Sequence, residues 1–187
     1  MKELENVDTT LLIRLSREGD AAAIEALIHS FEARLYRLAL SMLNDPAEAD
    51  EATQDAFVKA FRRLSSFRGE AGLATWLYAI ALNVCRERLR QRRARERLAR
   101  IWRAVGLAEE SAEPRPEQIA IAREADRAVW RAVERLNDQQ REVVILRYYH
   151  DLKLDDIAQV MGVSERTVRT WLQRAHDQLR EWLKDDV

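Results

Sequence analysis

Arg166, Arg169 and Arg174 follow a Gly162–Val163–Ser164 break, with Thr170 and Gln173 interleaved among them. Val168, Leu172, Ala175 and Leu179 recur at spacings of 4, 3 and 4, which predicts one buried helix face. Glu165, Arg166, Arg169, Thr170, Gln173 and Arg174 are then left facing solvent. Such a set can read a nucleic-acid duplex. A guanidinium bridges guanine O6 and N7, a Gln amide pairs with adenine, and hydroxyls near a helix start hold phosphate. Arg166, Arg169 and Gln173 suit base edges, while Ser164, Thr167 and Arg174 suit phosphates. Upstream, Ile157, Ala158 and Met161 lie at helical spacing, and Gly162–Val163 supplies a tight turn before Ser164 as a helix cap. The pattern is a helix-turn-helix, its second helix free for a major groove. Periodicity alone also fits a solvated face on an ordinary three-helix bundle. Trp171, beside the core edge, suits packing better than base stacking.

Two further charge clusters invite chemistry. Nine arginines between Arg86 and Arg103 are opposed only by Glu87 and Glu96. Between residues 45 and 55 the sign reverses, with Asp45, Glu48, Asp50, Glu51 and Asp55. The net charge of −1 hides this polarity, which predicts two kinds of partner. Nothing points to catalysis, a metal or a cofactor. His29, His150 and His176 are dispersed, and no glycine-rich nucleotide loop occurs. Cys85 is the only cysteine, which excludes a disulfide framework and fits an intracellular setting. The first 20 residues are too acidic and interrupted for a signal peptide. No apolar run approaches the roughly 20 residues that span a bilayer. The expected location is cytoplasmic, without membrane insertion.

The elements that must carry these residues are helical. Ala, Leu, Glu and Arg dominate the 187 residues, with five Gly and three Pro. A short helix is expected at Thr10 to Arg17 with Leu11, Leu12 and Leu15 inward. Asp20 caps the next, built on Ile24, Leu27, Ile28, Phe31, Leu35, Leu38 and Ala39. Asn44, Asp45 and Pro46 stop it and restart a helix from Ala47 to about Leu64. Ala52, Ala56, Phe57, Ala60 and Phe61 form its apolar side, with Asp50, Glu51, Gln54 and Asp55 largely opposite. "SSFRGEAG" is a loop. A long helix from about Leu73 beyond Arg95 is apolar at Trp76, Leu77, Ile80, Ala81 and Val84, then solvated and arginine-rich toward Gly106. "GLAEESAEPRPEQ", with Pro114 and Pro116, reads as a linker. The prediction is an all-α chain of two helical domains, residues 1–105 and 123–187, joined by a linker at 106–122. In the second, helices are expected near Ala120 to Leu136, Asp138 to Tyr149, Leu154 to Met161 and from Ser164 onward.

"LNDQQREVVILRYYHDLKLDDIAQVMGVSERTVRTWLQRAHDQLR" (Leu136 to Arg180) resembles the fourth conserved region of bacterial sigma factors. "PAEADEATQDAFVKAFRRLSSFRGEAGLATWLYAIALNVCRERLRQRR" (Pro46 to Arg93) resembles the second region of the same family. The likeness is to the small two-domain, extracytoplasmic-function kind, and the two segments make up about half of the chain. Such a protein directs promoter-specific initiation by core RNA polymerase and is not itself an enzyme.

The resemblance implies a role for each cluster. The acidic helix would dock on the polymerase beta-prime coiled coil through Asp50, Gln54 and Asp55, a face that by residue type alone is also a plain solvated surface. Promoter −10 recognition would fall to Phe67, Arg68, Gly69 and Glu70, followed by Thr75, Trp76 and Asn83. Burial suits Trp76 at least as well. Arg86, Arg88 and Arg90, with Arg92 and Arg93, would hold phosphates. The helix-turn-helix would take the −35 element. Implied partners are the beta-prime and beta subunits of core polymerase, promoter DNA and, as a further candidate, an anti-sigma factor. Arg166 stands where many relatives carry glycine and Trp171 where a basic residue is frequent, so no particular −35 sequence carries over. The rival reading is a stand-alone helix-turn-helix regulator, which leaves the acidic helix and the "SFRGEA" loop without work.

Overall fold

The Asp20 carboxylate accepts the Ala23 N–H at 2.8 Å, ending one helix corner and opening the next helix. Caps of this kind satisfy amides that a helix start leaves orphaned. In the computed structural model, residues 2–69, 71–104 and 124–184 are described, and they fall in two compact units within 1–112 and 113–187. The expected linker at 106–122 lies outside the described residues.

The first unit contains α1 (Lys2–Arg17), α2 (Ala21–Leu43), α3 (Pro46–Arg63), a 3-10 turn (Leu64–Ser66) and α4 (Leu73–Ala104). Asp45 caps α3 through the Glu48 N–H at 2.9 Å, and Pro46 occupies the first turn, where its missing N–H costs nothing. Leu27, Leu35, Leu38 and Leu43 of α2 meet Ala49, Ala52, Ala56 and Phe57 of α3 and Leu77, Leu82, Val84 and Cys85 of α4 in one core. The run of alanines on α3 keeps side chains short where three helices converge. Beyond Leu89 the described side chains of α4 lie at or near the surface, because arginines replace the apolar stripe. α1 begins eight residues earlier than the periodicity predicts, and Leu11 is exposed rather than inward.

The second unit contains α5 (Glu124–Arg135), α6 (Asp138–Val144), a π-helical turn (Ile145–Tyr149), α7 (Leu154–Met161) and α8 (Glu165–Lys184). Asn137 and Gln140 form a reciprocal capping box at the start of α6. The sequence expectation of one regular helix over 138–149 misses the π turn. The wider turn rotates the chain, so Ile145 and Leu146 are buried while Tyr148 and Tyr149 point outward. Val143, Ile157, Val168 and Ala175 are fully buried at the centre of this unit. Among the described residues there is no strand.

Candidate nucleic-acid interface and docking face

In the second unit the interface is set by one turn. Gly162 adopts φ 68° and ψ 36°, and its N–H bonds back to Ala158 and Gln159 carbonyls. The Val163 N–H donates to the Ala158 carbonyl at 3.0 Å, closing a left-handed stop that a side chain would strain. Ser164 then caps α8 as expected, its Oγ accepting the Thr167 N–H at 3.2 Å. Val168, Leu172 and Ala175 face inward. The opposite face of α8 therefore presents Ser164, Arg166, Arg169, Thr170, Gln173 and Arg174 as exposed side chains, with Thr167 half-buried among them.

Several of these groups are held by neighbours on the helix. The Arg169 Nε donates to Glu165 Oε1 at 3.1 Å, one turn earlier. The Gln173 amide donates to Asp177 at 3.1 and 3.3 Å, and Thr170 Oγ1 donates to the Arg166 carbonyl. These side chains are thus partly oriented along the helix surface. Trp171 is half-buried.

In the first unit, α3 presents Asp50, Gln54 and Asp55 as exposed side chains. The Gln54 amide donates to Asp50 at 2.9 Å, so this pair is internally matched. Asp55 faces α4. The Arg88 guanidinium reaches across to Asp55 at 2.6 Å and to Glu51 at 2.9 Å. Burial works against its charge, but hydrogen bonds to both carboxylates and their negative field prevail, and the Arg88 pKa is held above its ordinary value. Lys59 pairs with Glu87 at 2.9 Å, and Arg92 lies 3.9 Å from Glu48 while donating to the Leu43 carbonyl. α3 and α4 are therefore laced by cross-helix charge pairs along one seam.

That seam gives one of the arginines expected at phosphates a partner within the chain. Arg88, expected to hold phosphate, is turned inward to the carboxylates of α3. It lies one helical turn beyond buried Val84, on the stripe of α4 that faces α3, so the acidic face is its nearest counter-charge. Arg90 stays exposed, and Arg86 Nη1 donates to the exposed Asn83 side chain at 3.2 Å.

The loop after α3 divides into buried and exposed residues. Phe67 is buried, its ring 5.1 Å from the half-buried Trp76 ring. Thr75 is buried too, on the same face of α4 as Tyr78 and Leu82. Neither side chain is offered at the surface of the free chain, because both lie on the core side of the loop-to-helix junction. Arg68 and Gly69 are exposed, and Gly69 has φ 76° in open space. Glu70 lies outside the described residues. Sequence reasoning missed Arg17, whose guanidinium donates to the Leu64 carbonyl at 3.0 Å and to the Phe67 carbonyl. No local signal marks such contacts, which join positions 47 and 50 residues apart.

Comparison with known proteins brings the two units under one heading. The pattern described as Sigma-70 region 2 matches residues 27–95, and that described as Sigma-70, region 4 matches residues 126–179. The chain is 33% identical over 165 residues to the ECF RNA polymerase sigma factor SigM of Mycobacterium tuberculosis, covering 88% of this chain and 79% of the relative. It is 30% identical over 182 residues to the RNA polymerase sigma-H factor of Pseudomonas aeruginosa, covering 95% and 94%. Among solved structures it is similar to the sigma factor RpoE in complex with the anti-sigma factor NepR from Bartonella quintana. That likeness has a TM-score of 0.62 at 26% identity and covers 87% of this chain and 98% of that one.

Proposed function

Since the chain belongs to the extracytoplasmic-function group of the sigma-70 family of RNA polymerase sigma factors, we propose that it holds a promoter at two points while docked on core polymerase. It is a promoter-recognising initiation factor. In our reading α8 enters the major groove of the −35 element, with Arg166, Arg169 and Gln173 on base edges and Ser164, Thr167, Thr170 and Arg174 on or near phosphates. Arg68, Gly69, Glu70 and Asn83 face the −10 region, and Arg86 and Arg90 add positive charge alongside. Phe67, Thr75 and Trp76 shape that site from behind. The exposed Asp50–Gln54 pair, with Asp55, forms the face offered to the beta-prime subunit.

No covalent step falls to this chain. Opening follows from trapping transiently exposed single strand through hydrogen bonds, stacking and positive charge, with RNA synthesis left to the polymerase. The assignment of residues 1–105 to docking and −10 recognition, 106–122 to a linker and 123–187 to the −35 element is part of the same reading. Among the described residues no helix is long and apolar enough to cross a membrane, and action on a chromosome places the chain in the cytoplasm. An anti-sigma factor is a fitting further partner, because the similar Bartonella quintana protein is held by one.

The observation that carries the proposal is the exposed row of Arg166, Arg169, Gln173 and Arg174 on α8, directly after the left-handed Gly162 turn. Transcription reconstituted with core polymerase across a promoter library tests it. Promoter-dependent starts that need this chain are expected. Their absence, with core binding demonstrated, overturns the reading.

A further inference from the structure

The side chain that ends α1 reaches the loop assigned to the −10 region. Arg17 Nε donates to the Leu64 carbonyl at 3.0 Å, and Nη2 donates to the Phe67 carbonyl. The Leu64 carbonyl also accepts the Phe67 N–H at 3.2 Å, so both ends of the 3-10 turn meet one guanidinium. Carbonyls at the end of a helix carry partial negative charge and lack intrahelical donors. A planar fork with several N–H groups can hold two of them at a fixed separation, which a single ammonium cannot.

Arg17 is itself well anchored. The Glu18 N–H returns to the Arg14 carbonyl at 3.2 Å and the Asp20 N–H to the Leu15 carbonyl at 3.0 Å, fixing the corner from which the side chain extends. Phe67 is consequently held from two sides. Its carbonyl is gripped by Arg17 and its ring is buried against Trp76. The next two residues, Arg68 and Gly69, are exposed, and a Cβ on Gly69 would meet nothing within 4 Å. The segment free to meet DNA therefore starts one peptide beyond a clamped carbonyl, whose orientation sets the direction in which Arg68 leaves the fold.

We propose that Arg17 is a positioning residue for −10 recognition, acting through the Leu64–Phe67 turn and not by touching DNA. This rests on the assignment of the 68–70 segment to the −10 element. Loss of Arg17 would let the turn relax, so that Arg68 and its neighbours sample several orientations and discriminate less among bases.

The test uses holoenzyme and a duplex-to-single-strand junction carrying the −10 sequence recovered from the promoter library. Its control is the same junction with those bases scrambled. Arg17→Ala should lower the ratio of the two affinities about fivefold, the range expected for one net hydrogen bond of ordering. The slope of affinity against salt should stay unchanged. Arg17→Lys, which keeps the charge but not the fork, should fall between, and it serves as the test variant if the alanine form does not fold. Two results overturn the proposal. An equal loss on both junctions with a shallower salt slope would mean that Arg17 binds phosphate. A lowered melting temperature with an unchanged ratio would mean that it only supports the fold. Arg68→Ala separates the layers. If it lowers the ratio and the Arg17 variants do not, positioning fails alone; if neither does, the −10 assignment fails with it.

Discussion

At the scale of single residues, the proposed base and phosphate contacts of α8 would give different signatures. Arg169 is tethered to Glu165 one turn earlier, so in the proposed reading its guanidinium would meet a base from a restricted set of directions. Arg169→Ala is expected to weaken binding to the preferred −35 duplex by about 1–3 kcal/mol and to relax preference at one base position, with core affinity unchanged. Arg174 is exposed on the same face and suits phosphate. Arg174→Ala should lower affinity about equally for all duplexes and reduce the salt slope by roughly one. Fluorescence anisotropy over a series of duplexes and salt concentrations checks both. If the two variants lose affinity in the same sequence-independent way, the division between base and phosphate contacts is wrong. The α8 residues were legible in the sequence because their buried partners recur on one helix and the cap is a neighbour in the chain. Arg88 and Arg17 were not, because each is defined by groups at least 33 residues away.

At the scale of elements, two devices fix the geometry: the turn before α8 and the charged seam between α3 and α4. Gly162→Ala places a side chain at φ 68°, where left-handed backbone costs an L-residue about 1–2 kcal/mol. Urea unfolding should register that loss, and −35 affinity should fall with it as α8 tilts from its seat. In the seam, Glu87 has its pKa lowered from the ordinary value of 4.5, by the Lys59 hydrogen bond first and the Lys59 charge next. A carboxylate with a depressed folded pKa contributes stability above its ordinary value and loses it as pH falls through the folded value. The melting temperature should therefore drop as pH is taken below 4.5, and the Glu87→Gln variant should drop less steeply. Equal slopes would remove this pair from the account. The helices themselves were readable from Asp20 and Asp45–Pro46, whose caps are local chemistry. The π turn at Ile145–Tyr149 was not, since residue types that favour a regular helix also line a widened one.

At the scale of the whole molecule, 31 basic and 32 acidic residues leave a net charge of −1, and the seam shows where part of that cancellation is built. Asp55 belongs to the face we propose for polymerase and also grips Arg88. Asp55→Asn is accordingly expected to lower core affinity and the melting temperature together, while −35 duplex affinity is unaffected. Pull-down with core polymerase and calorimetry measure the first two, and a loss of one without the other would show that the roles are separable. The two-unit architecture was legible in full outline from a proline-bearing acidic stretch between two helical patterns. Which arginines are spoken for was not. Charges closed on one another at 2.6–2.9 Å project little field beyond a Debye length of about 8 Å. In our reading Arg88 therefore adds little to any long-range attraction of DNA, which falls instead to exposed arginines of α4 such as Arg90, Arg95 and Arg97. Electrostatic acceleration of encounters with DNA, and the salt dependence that goes with it, are then set by the arginines left exposed and not by the number of arginines in the sequence.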